Sequence, residues 1–254
     1  MLAKLLKSRR SPVWQPAIPA GRRVYAIGDI HGCADELDRL LALIEADDAA
    51  RDEAETTLIF IGDLVDRGPA SAQVIERLRR LAVERADTRF LAGNHEEIFL
   101  RALAGEDKAL RLFCRIGGRE TSISYGISPA EYERLDYREL VDALRRMVPA
   151  EDQAFLAACE DRIEIGDYLF VHAGIRPGVA LDEQQASDLR WIRDRFLHHG
   201  RPLERMIVHG HTIADEVEMR PHRIGIDTGA FATGRLTALG LEGEARWTLQ
   251  TPEA

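Results

Sequence analysis

The chain has 254 residues, 45% hydrophobic and 30% charged, which suits a globular protein able to bury its own core. Its formal net charge of −9 argues against a nucleic-acid surface, so a polyanionic substrate must be drawn by local cations or arginines. The cysteines Cys33, Cys114 and Cys159 match no zinc or disulfide spacing, and no apolar run approaches membrane-span length; a cytoplasmic protein is expected.

Residues 1–20, with the basic Lys4, Lys7, Arg9 and Arg10, read as a solvated tail ahead of a single domain over 21–254. "RVYAIGD" is a short apolar run closing in Gly-Asp, the form of a buried strand entering a loop. In "CADELDRLLALIEA", Leu37, Leu40, Leu41 and Ile44 follow helical spacing. "TLIFIGD" repeats the strand-to-Gly-Asp arrangement, and "ASAQVIERLRRLAVE" supplies a second amphipathic helix through Val74, Ile75, Leu78 and Leu81. "RFLAGN" is a third strand. Strand, polar loop and helix in succession predict a βαβ array.

Residues 97–160 read as mostly helical, with Pro129 and Pro149 as breaks and a Gly117-Gly118 turn inside "CRIGGRETSISYG". This insertion reads as a wall or lid that shapes the substrate pocket, or as a simple helix break. "GDYLFVHAG" and "RMIVHGH" are two more buried strands, each ending in His near Gly. From "HRIGIDTGA" through "RLTALGLEGEARWTLQ" the pattern is that of β hairpins. The expected fold class is α/β: two packed β-sheets with flanking helices, the first sheet βαβ and the C-terminal part more antiparallel.

Five of these strand ends carry polar residues that bind metals: "GDIHG", "GDLVDRG", "GNHE", "HAG" and "HGH". Sites in α/β sheets form outside the carboxyl ends of strands. The candidate ligands are Asp29, His31, Asp63, Asn94, His172 and either His209 or His211. Asn94 is the single asparagine of the chain, which suggests that a neutral carboxamide oxygen is required there. Carboxylate, imidazole and amide oxygen without thiolate suit Mn, Fe, Zn or Co. Six ligands exceed what one open-sited ion needs, so two divalent cations bridged by Asp63 are expected. Such a pair activates water as a bridging hydroxide for in-line attack on a phosphate ester. His95, next to Asn94, is the candidate general acid, oriented by Asp66, and Arg67 can fork onto phosphate oxygens.

The combined motifs, spanning residues 28–212, resemble the PPP family of metallophosphoesterases, which includes serine/threonine protein phosphatases and symmetrical diadenosine tetraphosphate hydrolases. The resemblance implies a calcineurin-like fold. It implies Asp29, His31 and Asp63 at one metal, and Asp63, Asn94, His172 and His211 at the other. It also implies a second phosphate arginine in "DLRWIRDRF", where Arg193 matches better than Arg190 or Arg195. The expected activity is hydrolysis of phosphoserine or phosphothreonine, supported by the complete "VDRG". The alternative is symmetrical diadenosine tetraphosphate hydrolysis, supported by "GDIHGC" and Pro69. Substrates would be a phosphoprotein or a small phosphoester or nucleotide, with manganese the expected metal. A non-catalytic scaffold would lack a ligand or the acid, and none is missing.

Overall fold

The computed structural model describes residues 15–253. The βαβ reading holds through the first half. Strand β1 (Arg22–Ile27) leads to helix α1 (Ala34–Ala49), β2 (Glu55–Phe60) to α2 (Ser71–Glu84), and β3 (Thr88–Phe90) to α3 (Asn94–Leu103). Helix α1 buries Leu37, Leu40, Leu41 and Ile44, and α2 buries Val74, Ile75, Leu78 and Leu81, the faces predicted from spacing.

The insertion continues with α4 (Asp107–Ile116), α5 (Gly118–Ser124), α6 (Pro129–Tyr132), α7 (Tyr137–Met147) and α8 (Ala150–Ala157). Pro129 opens α6, where a missing N–H costs nothing, and Pro149 caps the start of α8. Asp136 and Glu139 close a reciprocal capping box on α7. The chain then forms β4 (Arg162–Ile165), β5 (Tyr168–Val171), α9 (Ala186–Trp191), α10 (Asp194–Leu197) and β6 (Met206–His209). It ends with β7 (Glu218–Met219), β8 (Arg223–Gly225), α11 (Ala230–Thr233), β9 (Thr237–Glu242) and β10 (Ala245–Gln250).

The described residues form two five-stranded sheets, ordered β10-β9-β1-β2-β3 and β4-β5-β6-β8-β7. Strands β1, β2 and β3 run parallel, as do β5, β6 and β8. Alternation along each strand sorts side chains between layers. Val24, Ala26, Ile59 and Ile61 of the first sheet meet Tyr168, Phe170, Val208 and Ile224 of the second in the sandwich core. Tyr25, Ile27, Leu58 and Phe60 face the helical layer, and Leu169, Val171 and Ile207 pack with Leu189 and Phe196 outside the second sheet.

Two expectations change. The C-terminal hairpin β9–β10 does not build the second sheet. It completes the first, with β9 antiparallel to β1 and Tyr25 opposite Gly240. The tail expected over 1–20 divides: residues 1–14, with all four basic side chains, lie outside the described residues, whereas Ile18 is buried in the sandwich. Ala17 N–H donates to Asp167 and Ile18 N–H to the Gly243 carbonyl, so this segment ties the two sheets together.

Candidate metal centre

The parallel strands of both sheets end on the same edge of the sandwich. Asp29 and His31 follow β1, Asp63 follows β2, Asn94 follows β3, His172 follows β5 and His211 follows β6. All six side chains are buried, none more than 6% exposed. The sheets are stitched together here. His172 Nδ1 donates to the Ile61 carbonyl at 2.8 Å, and Asp29 accepts the His211 N–H at 3.0 Å. The glycine before His211 is required: a Cβ on Gly210 would stand 1.9 Å from Asp29 Oδ1.

Two groups of donor atoms share Asp63. Its Oδ2 lies 3.6 Å from His31 Nε2, and its Oδ1 lies 3.3 Å from His172 Nε2. Asn94 Oδ1 and His211 Nδ1 stand 3.1 Å and 3.2 Å from the same His172 nitrogen. His31 gives its Nδ1–H to the Val65 carbonyl at 2.8 Å, and its buried Nε2 has no hydrogen-bond partner; neither has His211 Nε2. Anchoring one ring nitrogen on a backbone carbonyl is how proteins aim the other at a metal.

The electrostatics call for positive charge. Burial lowers the His31 pKa to about 3, and burial with His172 nearby lowers that of His211 to about 2, so both imidazoles keep their lone pairs. Burial, then the Asp227 and Asp63 carboxylates, push Asp29 well up. Burial disfavours the charged Asp63, yet His172 and His95 hold it well below the usual range. Burial lowers His172, but Asp63 raises it by more. Crowded carboxylates, neutral imidazoles and one carboxamide oxygen fit divalent cations of the Mn, Fe, Zn or Co type.

Beside this cluster His95 and Asp66 are paired. His95 Nδ1 is 2.7 Å from Asp66 Oδ2, with both residues buried. Arg67 Nη2 lies 3.1 Å from His95 Nε2. A guanidinium can only donate, so Nε2 accepts and Nδ1–H faces Asp66. Burial lowers the His95 pKa, but Asp63 and then Asp66 raise it by more, which readies the ring for a second proton.

The remaining candidates separate by their partners. His209 is occupied by the Gly210 carbonyl and Arg223, outside the cluster. Arg190 is held by Asp161 and Glu97. Arg193 is exposed and reaches Thr212, the residue after His211, at 3.4 Å. Arg195 is exposed.

Two buried carboxylates escaped the sequence reading. Glu96 accepts N–H bonds from Asp63 and Gly93 on one oxygen, and from Leu64 and Val65 on the other. Its position in the first turn of α3 was the available signal. Asp227 follows β8, a sixth strand end, and is 3% exposed. Burial, then the nearby Asp63, raise its pKa to about 6. Backbone strain gathers here as well. Among the described residues, the non-glycine positive φ angles belong to His31 (+47°), Asp63 (+49°), Asp66 (+71°), Arg67 (+69°) and His211 (+63°).

The chain is similar to known proteins in sequence and in fold. The family described as calcineurin-like phosphoesterase matches residues 22–227. A bis(5'-nucleosyl)-tetraphosphatase PrpE (asymmetrical) of Anoxybacillus flavithermus is 30% identical over 233 residues, covering 84% of this chain and 88% of that protein. A solved structure described as a candidate diadenosine tetraphosphatase superposes with TM-score 0.62 at 21% identity, covering 93% and 98% of the two chains. A cold-active protein tyrosine phosphatase superposes with TM-score 0.59 at 20% identity, covering 92% and 81%. The sandwich and, above all, the family match over most of the chain establish that the chain belongs to the calcineurin-like phosphoesterases.

Proposed function

We propose that this phosphoric ester hydrolase acts on phosphoserine and phosphothreonine in proteins. The observation that carries the reading is the buried His95–Asp66 pair, 2.7 Å apart, beside the ligand cluster. A serine or threonine alkoxide is a poor leaving group and requires a proton as it departs, whereas a nucleotide phosphate leaves readily without one. An oriented histidine at this place serves the harder reaction.

Asp29, His31 and Asp63 would hold one cation, and Asp63, Asn94, His172 and His211 the other, with the Asp63 carboxylate shared between them. Manganese suits this thiolate-free donor set. Divalent ions bound there supply Lewis acidity and an acidified water. The neutral Asn94 limits negative charge where the phosphate must approach. Arg67 leaves His95 Nε2 to fork onto phosphate oxygens, and Arg193 closes from the Thr212 side. As water adds to phosphorus and the ester P–O bond breaks, His95 Nε2–H gives its proton to the leaving oxygen. The products are the free hydroxyl side chain and inorganic phosphate, and the attacking water supplies the proton that restores His95.

A second reading rests on the relatives named bis(5'-nucleosyl)-tetraphosphatase. That name says asymmetrical, so this reading gives a nucleoside triphosphate and a monophosphate rather than the two diphosphates of symmetrical cleavage. The deciding experiment compares kcat/KM of the Mn-loaded enzyme on a phosphothreonine peptide and on diadenosine tetraphosphate. A peptide advantage of about tenfold or more, roughly 1.4 kcal/mol in transition-state binding, supports the protein phosphatase. A dinucleotide advantage of that size replaces it with the second reading, and the nucleotide products report the bond cleaved.

A further inference from the structure

The helical insertion reaches the acid pair through one side chain. Thr121 of α5 is fully buried, and its hydroxyl engages Asp66 twice. Thr121 Oγ1 donates to Asp66 Oδ1 at 2.7 Å and accepts the Asp66 N–H at 2.9 Å. Ser71 Oγ stands 3.0 Å from the same hydroxyl and 3.1 Å from Asp66 N. The Thr121 proton is committed to the carboxylate, so Ser71 donates to Thr121. The one donor and two acceptor positions of the hydroxyl are then all used.

This grip acts on a residue that needs it. Asp66 has φ +71°, a conformation that side-chain-bearing residues keep only where the surroundings over-determine it. Its other oxygen, Oδ2, orients His95. The next residue is held by the same insertion, since Arg67 N–H donates to the Gly117 carbonyl at 3.1 Å. Gly117 has φ +117°, and a Cβ there would stand 2.6 Å from Arg67 N. The Gly-Gly segment is thus a close backbone approach to the "VDRG" loop.

We propose that Thr121 is a positioning residue for proton delivery: it fixes Asp66, and Asp66 fixes the His95 ring. The insertion thereby belongs to the reaction machinery and is more than a wall around it. The inference rests on His95 being the proton donor.

Thr121→Val removes the hydroxyl at nearly constant volume, and Thr121→Ser keeps it. Each Mn-loaded protein is assayed on a phosphothreonine peptide and on p-nitrophenyl phosphate, whose leaving group needs little protonation. General acids contribute about 10²–10⁴-fold, so the misaligned Thr121→Val should lose at least about tenfold in kcat on the peptide and less than about threefold on the aryl ester. Thr121→Ser should restore both. In a His95→Asn background, Thr121→Val should cost nothing further, because residues acting as one unit are not additive. Equal losses on both substrates, no loss, or no rescue by Ser would overturn the inference. If Thr121→Val does not fold, Thr121→Cys, with only a weak S–H donor, gives the same comparison. His95→Asn separates the two claims. If its own loss is equal on both substrates, the acid reading fails. If its loss is selective and that of Thr121→Val is not, only the Thr121 inference fails.

Discussion

Replacing Glu96 by Gln removes a buried charge and turns one of two acceptor oxygens into a donor. The hydrogen-bond partners of that carboxylate are backbone N–H groups: Asp63 and Gly93 at 2.8 Å on Oε2, Leu64 at 2.8 Å and Val65 at 3.3 Å on Oε1. Whichever way the amide turns, its NH₂ group faces two donors and those two bonds are lost. Hydrogen bonds to charged groups contribute about 1.5 kcal/mol each at the low end, so the substitution should cost about 3 kcal/mol. For a chain of this size, 1 kcal/mol moves Tm by about 2–4 °C, which gives a fall of about 6–12 °C. The same loop carries Asp63, Asp66 and Arg67, so manganese affinity should weaken in parallel. Scanning calorimetry of chelator-treated and Mn-loaded protein, with a metal titration, measures both. Glu106→Gln, which disturbs only an exposed pair with Arg101, is the control and should stay within about 0.5 kcal/mol. A Glu96→Gln protein that melts with the wild type and binds manganese equally well would refute the claim that this carboxylate holds the loop.

Asp63→Asn should remove metal and activity together, because both groups of donors share that carboxylate; two ions per chain with normal turnover would sink the bridging assignment. Gly210→Ala places a methyl 1.9 Å from Asp29 Oδ1, so that carboxylate must move. It should lower metal content by elemental analysis while far-UV circular dichroism stays native, and full occupancy would show that Asp29 is dispensable.

What the sequence made readable was whatever repeats locally. The Gly-Asp, Gly-Asn and His-Gly strand ends mark five of the six segments that converge, and helical spacing marks the buried faces of α1 and α2. Long-range pairing leaves no such local trace. The C-terminal hairpin carries the alternation of any antiparallel pair, and its assignment to the first sheet comes from the β1–β9 ladder, which runs from Arg23 opposite Glu242 to Ile27 opposite Ala238. Asp227 sits in "IDTG", which looks like a turn until β8 is seen to run parallel to β6. Glu96 resembles any acidic residue in a first helical turn. Thr121 follows a Gly-Gly pair as one polar residue among several, and its partner is 55 residues away. The resemblance already favoured His211 over His209; what the sequence did not show is the partner that occupies His209, Arg223 on the neighbouring strand.

The five left-handed residues around the candidate site have an outcome for the molecule as a whole. At about 1 kcal/mol each, the lower end for such conformations, they subtract several kcal/mol from a folding stability that is itself only about 5–15 kcal/mol. Crowded carboxylates add to that deficit. Cations that bind only the folded chain return free energy as RT ln(1 + [L]/Kd), about 2.7 kcal/mol at a hundredfold excess over Kd. Heat resistance and metal supply are thus tied to one another. Withdrawing the divalent cations with a chelator would therefore leave the enzyme in its most easily unfolded form.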